Sequence, residues 1–417
     1  MVNKITGKRE LSYVVTIDKI EPIEGSDNCE AAIVGGWKVM VKENTFKAGD
    51  LAIYFEIDSK VNTSLPEFTF LEKYHGHVKT QRYTFGGKNP GFYSQGLLMH
   101  PSDFGWKEEN HKIVTPAGDL YSNGDFLTEK LNVTYYNEAD QKRKNPSVDK
   151  YSPMIQRNNK LFKKKPYSWL IKREWGKKLL FIFFGKKRDT IPTHFPSKFN
   201  GVSKTDSERV ENMPWILNYK DRLIQTTKID GTSSTFILEK KPFGKYEYYV
   251  CSRNVRQLTP EQDNWHSNDE NVYWEVSDKF HIKEFLKYYI EQNGFKWAAI
   301  QGETAGLTNN GAKIQGNPHK FDTLRFFAFD LINSKDGKIN PVKGAEICKA
   351  FNIEWVPIVS TSYVLPDTME EFKAAADGNC EAPGASGLRE GYVYRKALDP
   401  TFNFKNVSNK YLMKKGE

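Results

Sequence analysis

The stretch IQTTKIDGTSSTFIL, Ile224 to Leu238, sets a lysine, Lys228, inside an apolar alternation, with Asp230 two residues on and Gly231 directly after. A neutral lysine is a nucleophile and carboxylates are ligands for hard cations, so this pairing is a starting set for covalent chemistry. An exposed strand position accounts for a lone K-x-D-G equally well. Residues of the same kinds then follow in order. Arg253 lies in VCSRN, Glu303 in IQGETAG, Phe327, Phe329 and Asp330 in FFAFDLI, Glu390 in REGYVYR, and Lys405 and Lys410 in FNFKNVSNKYL. Each falls in or just after a segment that reads as a strand, and side chains of one rigid sheet can converge on a cleft. Singly, each has an ordinary explanation: an ion-pair partner for Arg253, a turn acid for Glu303, core for Phe329, a rim charge for Glu390, a basic tail for the two lysines.

The elements that must position them begin near Phe195. From there DRLIQTTKI, STFILEKK, YEYYVCSRN, WAAIQGE, TLRFFAFDLI and GYVYRKAL read as strands, and DKFHIKEFLKYYIEQ and DTMEEFKAAA as helices. In the first helix Phe280, Ile282, Phe285, Leu286 and Ile290 recur at roughly helical spacing, and Asp367 or Thr368 can cap the second. This is an α+β domain spanning residues 195–417. Ahead of it, GWKVMVKE and GDLAIYFEID alternate apolar and polar or small residues and read as half-buried strands. Turn-forming stretches such as EGSDN and GGKNPG separate them, so residues 1–130 form a small barrel or sandwich, with which an OB-type barrel is compatible.

Between the two, residues 131–194 read as a basic, partly helical linker. From Arg157 to Arg188 there are twelve Lys or Arg against one acid, Glu174, with Trp169, Trp175 and several phenylalanines interleaved. A solvated helix face and a phosphate-backbone contact strip that includes Lys163, Lys164 and Lys165 both fit this pattern.

Composition limits the classes open to the chain. With 417 residues there is room for two or three cores, and Lys+Arg exceeds Asp+Glu by 61 to 52, a net charge of +9 that suits a polyanionic partner. The four cysteines, Cys29, Cys251, Cys348 and Cys380, lie far apart with no C-x-x-C pair, which suggests neither a zinc site nor a disulfide framework. His75 and His77 read as surface residues. The N-terminus has no apolar signal core, and LLFIFFG from Leu179 is much shorter than the roughly 20 residues of a membrane span. We therefore expect a cytoplasmic or nuclear protein, not secreted, with no membrane partner.

Together the motifs K-x-D-G, S-R, G-E, F-x-F-D, E-G and a terminal lysine motif resemble the covalent nucleotidyltransferase superfamily of polynucleotide ligases and mRNA-capping enzymes. FPSKFNGVSKTDSERVEN, Phe195 to Asn212, and GFYSQGLLM in the front domain are similar to the RNA ligase family that carries an N-terminal OB domain. The resemblance implies an α+β fold, an ATP-grasp-like antiparallel nucleotidyltransferase (ligase) domain preceded by an OB-type β-barrel, and an ATP-dependent RNA ligase acting through lysyl-AMP. It implies Lys228 as nucleophile on the α-phosphate of ATP, flanked at the nucleotide by Thr227 and Ile229, and Asp230, Glu303 and Glu390 as ligands of Mg²⁺ or Mn²⁺. Lys405 and Lys410 would neutralise phosphate charge, Phe329 rather than Phe327 would stack on adenine, and Arg253 would contact the ribose or the 3′-OH end. The lysine's pKa is expected to be lowered by neighbouring cations, burial and metal.

Two departures stand out: Ser233 replaces an arginine often found five residues after the nucleophile, and Val407 stands where a second lysine often follows Lys405. The chain ends at Glu417, so we expect no OB domain behind the lysine motif and a front barrel that takes over its work, with Lys79, Arg82, Lys88, Ser94 and Gln95 as contacts. RNA, including RNA/DNA nicks, and ATP are the expected partners of a monomer. The alternatives are a DNA ligase, a capping guanylyltransferase, or an RNA-binding protein without catalysis.

Overall fold

A computed structural model describes residues 1–3, 8–85, 92–136, 159–184, 194–259 and 271–415. Met1–Tyr135 and Thr193–Glu417 form one compact unit, and Tyr136–Pro192 forms a second.

In the first unit the front domain is built on two three-stranded antiparallel sheets. One orders Ser12–Thr16, Leu51–Phe55 and Leu97–Met99, and the other Lys19–Pro22, Cys29–Val34 and Trp37–Lys42. Trp37, Val39 and Val41 are buried and alternate with exposed or half-exposed neighbours, as the pattern requires. The Leu51–Phe55 strand differs from the half-buried expectation, because it is buried at every position. It is the central strand between two partners, and both of its faces are covered. Leu51, Ile53 and Phe55 enter a core with Phe68 and Leu71, while Ala52 and Tyr54 enter another with Trp37 and Val39. The domain also runs past residue 130, since Thr134–Tyr135 pairs with Ser59–Lys60.

The rear domain is two antiparallel-dominated sheets. The first runs Glu208–Arg209, Asn403–Val407, Gly391–Lys396, Leu223–Lys228, Ile358–Tyr363; the second runs Tyr246–Ser252, Thr232–Lys240, Trp297–Ala305, Arg325–Asn333, Gly337–Lys338, with Glu354–Trp355 beside Arg325–Asn333. The expected long helix is two, Val272–Lys279 and Ile282–Asn293, broken where His281 takes φ 49°. Ile282, Phe285, Leu286 and Ile290 still bury one face of the second, against Phe236, Ile300 and Phe326 of the sheet. Thr368 caps the Met369–Ala375 helix by accepting the Glu371 N–H at 3.2 Å, and Asp367 instead pairs with Lys220 at 2.7 Å.

Two motif glycines are close-approach positions. At Gly231 the chain leaves the first sheet for the second, and a Cβ there would lie 2.2 Å from Thr304 O; at Gly391 one would lie 2.1 Å from Asn406 O. A side chain at either would force apart the strands that carry Lys228, Glu303 and Lys405. The front domain is fastened to the rear one by backbone and side-chain bonds: Val2 N–H donates to Asn212 O at 2.7 Å, and the Tyr93 hydroxyl to Met413 O at 3.1 Å.

Candidate active site

Lys228 is the last residue of its strand, and its register partner on the next strand is Gly391. That antiparallel pairing puts Glu390, one residue earlier, beside the lysine. Glu303 comes from the facing sheet, opposite Ser233. Lys405 pairs with Val393 on one side and with Arg209, in parallel, on the other. Lys228, Asp230, Glu303, Phe329, Glu390 and Lys405 thereby line one cavity of about 680 Å³, with Thr227, Ile229 and Arg253 at its walls.

Lys228 Nζ donates to Glu390 Oε2 at 2.8 Å, and the two side chains are 25% and 15% exposed. Burial works against the ammonium, but Glu390, Glu303 and Asp230 outweigh it and hold the pKa above the ordinary lysine value. Carboxylates rather than cations dominate around the amine, whereas the expected lowering counted a metal ion as well. Burial, reinforced by Glu390 and Asp230 and opposed by Lys228, pushes the Glu303 carboxyl up to about 8. Lys405 moves the other way, to about 8, through burial and then the neighbouring Lys228 and Arg209 cations.

The three expected metal ligands share the cavity but are not gathered into a closed cage, and among the described residues no three His, Cys, Asp or Glu side chains are grouped to hold an ion. Their oxygens are turned to the chain's own donors: Glu390 accepts from Lys228, and Asp230 Oδ2 accepts the Tyr411 hydroxyl at 2.5 Å. The Asp230 N–H is held by His319 Nε2 at 3.0 Å.

Phe327 and Phe329 share a strand face at different depths. Phe327 is fully buried with Ile229, Phe321 and Val356, whereas half-buried Phe329 lines the cavity. Arg253 is 53% exposed and paired with Asp206. Thr227 Oγ1 donates to Glu381 Oε2 at 2.8 Å, and Ser233, at the departed arginine position, shares a hydrogen bond with Thr205 at 2.5 Å. Asp330 of the F-x-F-D motif is an ion-pair centre, accepting Lys338 Nζ at 2.7 Å with Arg395 Nε at 3.6 Å.

Lys410 is a correction. It does not line the cavity; its side chain is 65% exposed and Nζ lies 3.6 Å from Asp377. On the Asn409–Lys415 helix, adjacent residues point about 100° apart, so turning Tyr411 toward Asp230 turns Lys410 away. Sequence reasoning missed Tyr411, and also Arg209, which lines the cavity beside Lys405. The signal for Arg209 was present in KTDSER, a stretch noted only as a resemblance.

The front-domain candidates lie outside this cavity. Lys79 Nζ sits 4.9 Å from the Tyr74 ring centre and Arg82 is 5.8 Å from that of Tyr93. Ser94 and Gln95 make bonds within the front domain: Ser94 Oγ accepts the Met40 N–H at 3.0 Å, and the Gln95 backbone carbonyl accepts the Tyr54 hydroxyl at 3.0 Å. Lys88 lies outside the described residues. Lys163, Lys164 and Lys165 are exposed in the second unit. His75 ends a 3₁₀ helix in the left-handed region and His77 stands 3.6 Å from Asp58.

Comparison with known proteins agrees with this geometry. An OB-fold domain model matches residues 11–99 and the RNA ligase family model matches residues 221–412. No curated protein matches the chain. Among solved structures, Naegleria gruberi RNA ligase with PPi is 26% identical, covering 98% of this chain and 99% of that one with a TM-score of 0.59. A point variant of the same ligase with ATP and Mn is 26% identical, covering 98% and 100% with a TM-score of 0.61, and a variant with AMP and Mn covers 97% and 99% at 26% identity and a TM-score of 0.60. With an OB fold in front and Lys228 in the acid-lined cavity of the domain behind it, the chain carries a domain of the RNA ligase family after an N-terminal OB-fold domain.

Proposed function

We propose that this chain is an ATP-dependent RNA ligase that joins a 5′-phosphate to a 3′-OH in three transfers. In the first, the Lys228 amine attacks the α-phosphorus of ATP, an N–P bond forms, and the bond to the β-phosphate breaks to release pyrophosphate. In the second, the 5′-phosphate of the RNA takes the AMP and frees Lys228. In the third, the 3′-OH attacks the phosphorus of that RNA 5′-phosphate, a phosphodiester bond forms, and the bond to AMP breaks so that AMP leaves. The observation that carries this reading is the convergence of Lys228, Glu303, Phe329, Glu390 and Lys405 on one cavity.

The residues have distinct tasks. Phe329 offers its ring to adenine at the cavity wall, and Lys405 and Arg209 bring positive charge to the phosphates. Arg253, exposed at the rim, is placed for the ribose or the RNA end. Asp230, Glu303 and Glu390 fit Mg²⁺ or Mn²⁺, because three carboxylate side chains line one cavity and such oxygens are what hard cations take; burial, and then the Glu390 and Asp230 charges, disfavour an ionised Glu303 there, a cost that a doubly charged ion would relieve. When bound, such an ion supplies charge neutralisation at the phosphates. Glu390 orients the Lys228 amine from 2.8 Å.

Lys79 and Arg82 of the front domain are proposed to hold the RNA backbone, whether in RNA or in RNA/DNA nicks. The four cysteines are free, which suits a reducing cytoplasmic or nuclear compartment, and the protein acts as a monomer.

Incubation with radiolabelled ATP or GTP and Mn²⁺, followed by denaturing electrophoresis, tests the reading. ATP should label the chain covalently and Lys228→Ala should remove the label. Labelling by GTP alone would favour a capping guanylyltransferase, sealing of DNA in preference to RNA a DNA ligase, and no label a non-catalytic RNA-binding protein.

A further inference from the structure

The second unit carries a short helix that is apolar on two sides. In Glu174–Phe184, EWGKKLLFIFF, Gly176 and Leu180 are buried and pack with Phe162, Tyr167, Leu170 and Phe184 in a small core. The adjoining side is exposed among the described residues: Trp175, Leu179, Ile182 and Phe183 are 51%, 42%, 74% and 73% exposed. At 100° per residue these four fall within an arc of about 100°, a full apolar stripe. Trp169 from the preceding helix, 48% exposed, extends it, with its ring 5.6 Å from that of Trp175 and the Arg173 guanidinium 4.2 Å over it. Around the stripe the charge has one sign, with eight Lys or Arg in residues 159–184 against Glu174. Exposed apolar patches of this kind mark a contact surface.

We propose that this unit is a surface anchor that lays the Trp175–Phe183 stripe on a bilayer rich in anionic lipid. The choice of partner follows from using both halves of the pattern at once. Single-stranded RNA engages cations and aromatic faces, but Leu179 and Ile182 have no π face on which a base can stack, and RNA leaves them in water. An anionic lipid interface uses every part. The cations meet headgroup phosphates, Trp169 and Trp175 sit at the boundary, and Leu179, Ile182 and Phe183 enter the acyl region. Among the described residues no helix is long and apolar enough to cross a membrane, and lying on one does not require it. The expectation of no membrane partner rested on that missing span alone.

The test is sedimentation of the full chain with vesicles of equal parts phosphatidylcholine and phosphatidylserine, and with vesicles of phosphatidylcholine alone. The chain should sediment with the first, only weakly with the second, and less as salt rises. Ile182→Glu with Phe183→Glu should cut vesicle binding at least about tenfold. Lysyl-AMP formation, which depends on none of these residues, should be retained, showing that the first unit is folded, and an unchanged far-ultraviolet circular dichroism spectrum should show the same of the helices of the second. Failure of the parent chain to sediment, or equal sedimentation of parent and variant, overturns the proposal. So does a variant that loses RNA affinity and keeps vesicle binding, which assigns the stripe to RNA, or one that dissolves a dimer of the parent, which assigns it to a second copy.

Discussion

Lys228 and Glu390 face each other across neighbouring antiparallel strands, with Nζ 2.8 Å from Oε2. The pair holds the amine at the cavity wall and at the same time favours its protonated form. Arginine at position 228 preserves the positive charge and the ion pair while removing the nucleophile, since a guanidinium stays protonated. Lys228→Arg should bind ATP and form no covalent adduct in the labelling assay, with a melting temperature close to that of the parent. Glu390→Ala should slow adduct formation by about 10²–10³-fold, the cost of one preorganised electrostatic contact at a reacting centre. Near-parental rates for Glu390→Ala would remove it from the site.

The last helix offers a contrast between adjacent residues. Tyr411 supports Asp230 through its hydroxyl, whereas Lys410 pairs at the surface with Asp377. Tyr411→Phe should reduce single-turnover adduct formation by about 10–100-fold, as loss of a group that orients a metal-binding carboxylate does. Lys410→Ala should leave it within about twofold, because exposed ion pairs contribute little. The reverse ranking would restore Lys410 to the catalytic set.

Lys405 should be chemically conspicuous. Burial and its neighbouring cations bring it to about 8, against roughly 10.4 for an unperturbed lysine. Because the folded-state pKa is lowered, the neutral amine appears as pH rises through 8, while ordinary lysines are still charged. Brief acylation followed by peptide mass spectrometry should modify Lys405 with a midpoint near pH 8, and ATP should protect it. Modification that rises only above pH 10 would contradict the cavity's electrostatics.

Phe327 and Phe329 should separate stability from binding. Phe327→Ala opens a hole in a fully buried cluster and should cost about 3–5 kcal/mol by denaturant unfolding. Phe329→Ala should cost less in stability and raise the KM for ATP in adduct formation. Equal effects of the two on KM would mean that the adenine lies elsewhere.

Much of this protein was legible from residue order. A strand ending in Lys-x-Asp-Gly, acids directly before or after strand ends, and a lysine near the C-terminus were read as one set, and Lys228, Asp230, Glu303, Glu390 and Lys405 line one cavity. The glycines at 231 and 391 are required because backbones pass at contact distance there. Periodicity likewise identified six strands of the rear domain, though not Ile358–Tyr363 or Asn403–Val407, and the buried face of the Ile282–Asn293 helix.

What the sequence left open were questions of facing and depth. Alternation puts Phe327 and Phe329 on one face but cannot say which reaches the cavity. Tertiary packing decides it, because Phe327 lies inside the cluster with Phe321 and Val356 while Phe329 packs at its edge and lines the cavity. The spacing of the terminal motif offered Lys410, but a helical turn sends Tyr411 inward instead. Leu51–Phe55 reads as half-buried because its alternation includes Ala52 and Tyr54, and only the covering of both sheet faces shows that these too are core. The carboxylate that raises the Lys228 pKa in the protein alone was hidden for the same reason. A pKa depends on which charges lie within a few ångströms, and the strand pairing that sets Glu390 against Lys228 joins residues 162 positions apart in the chain.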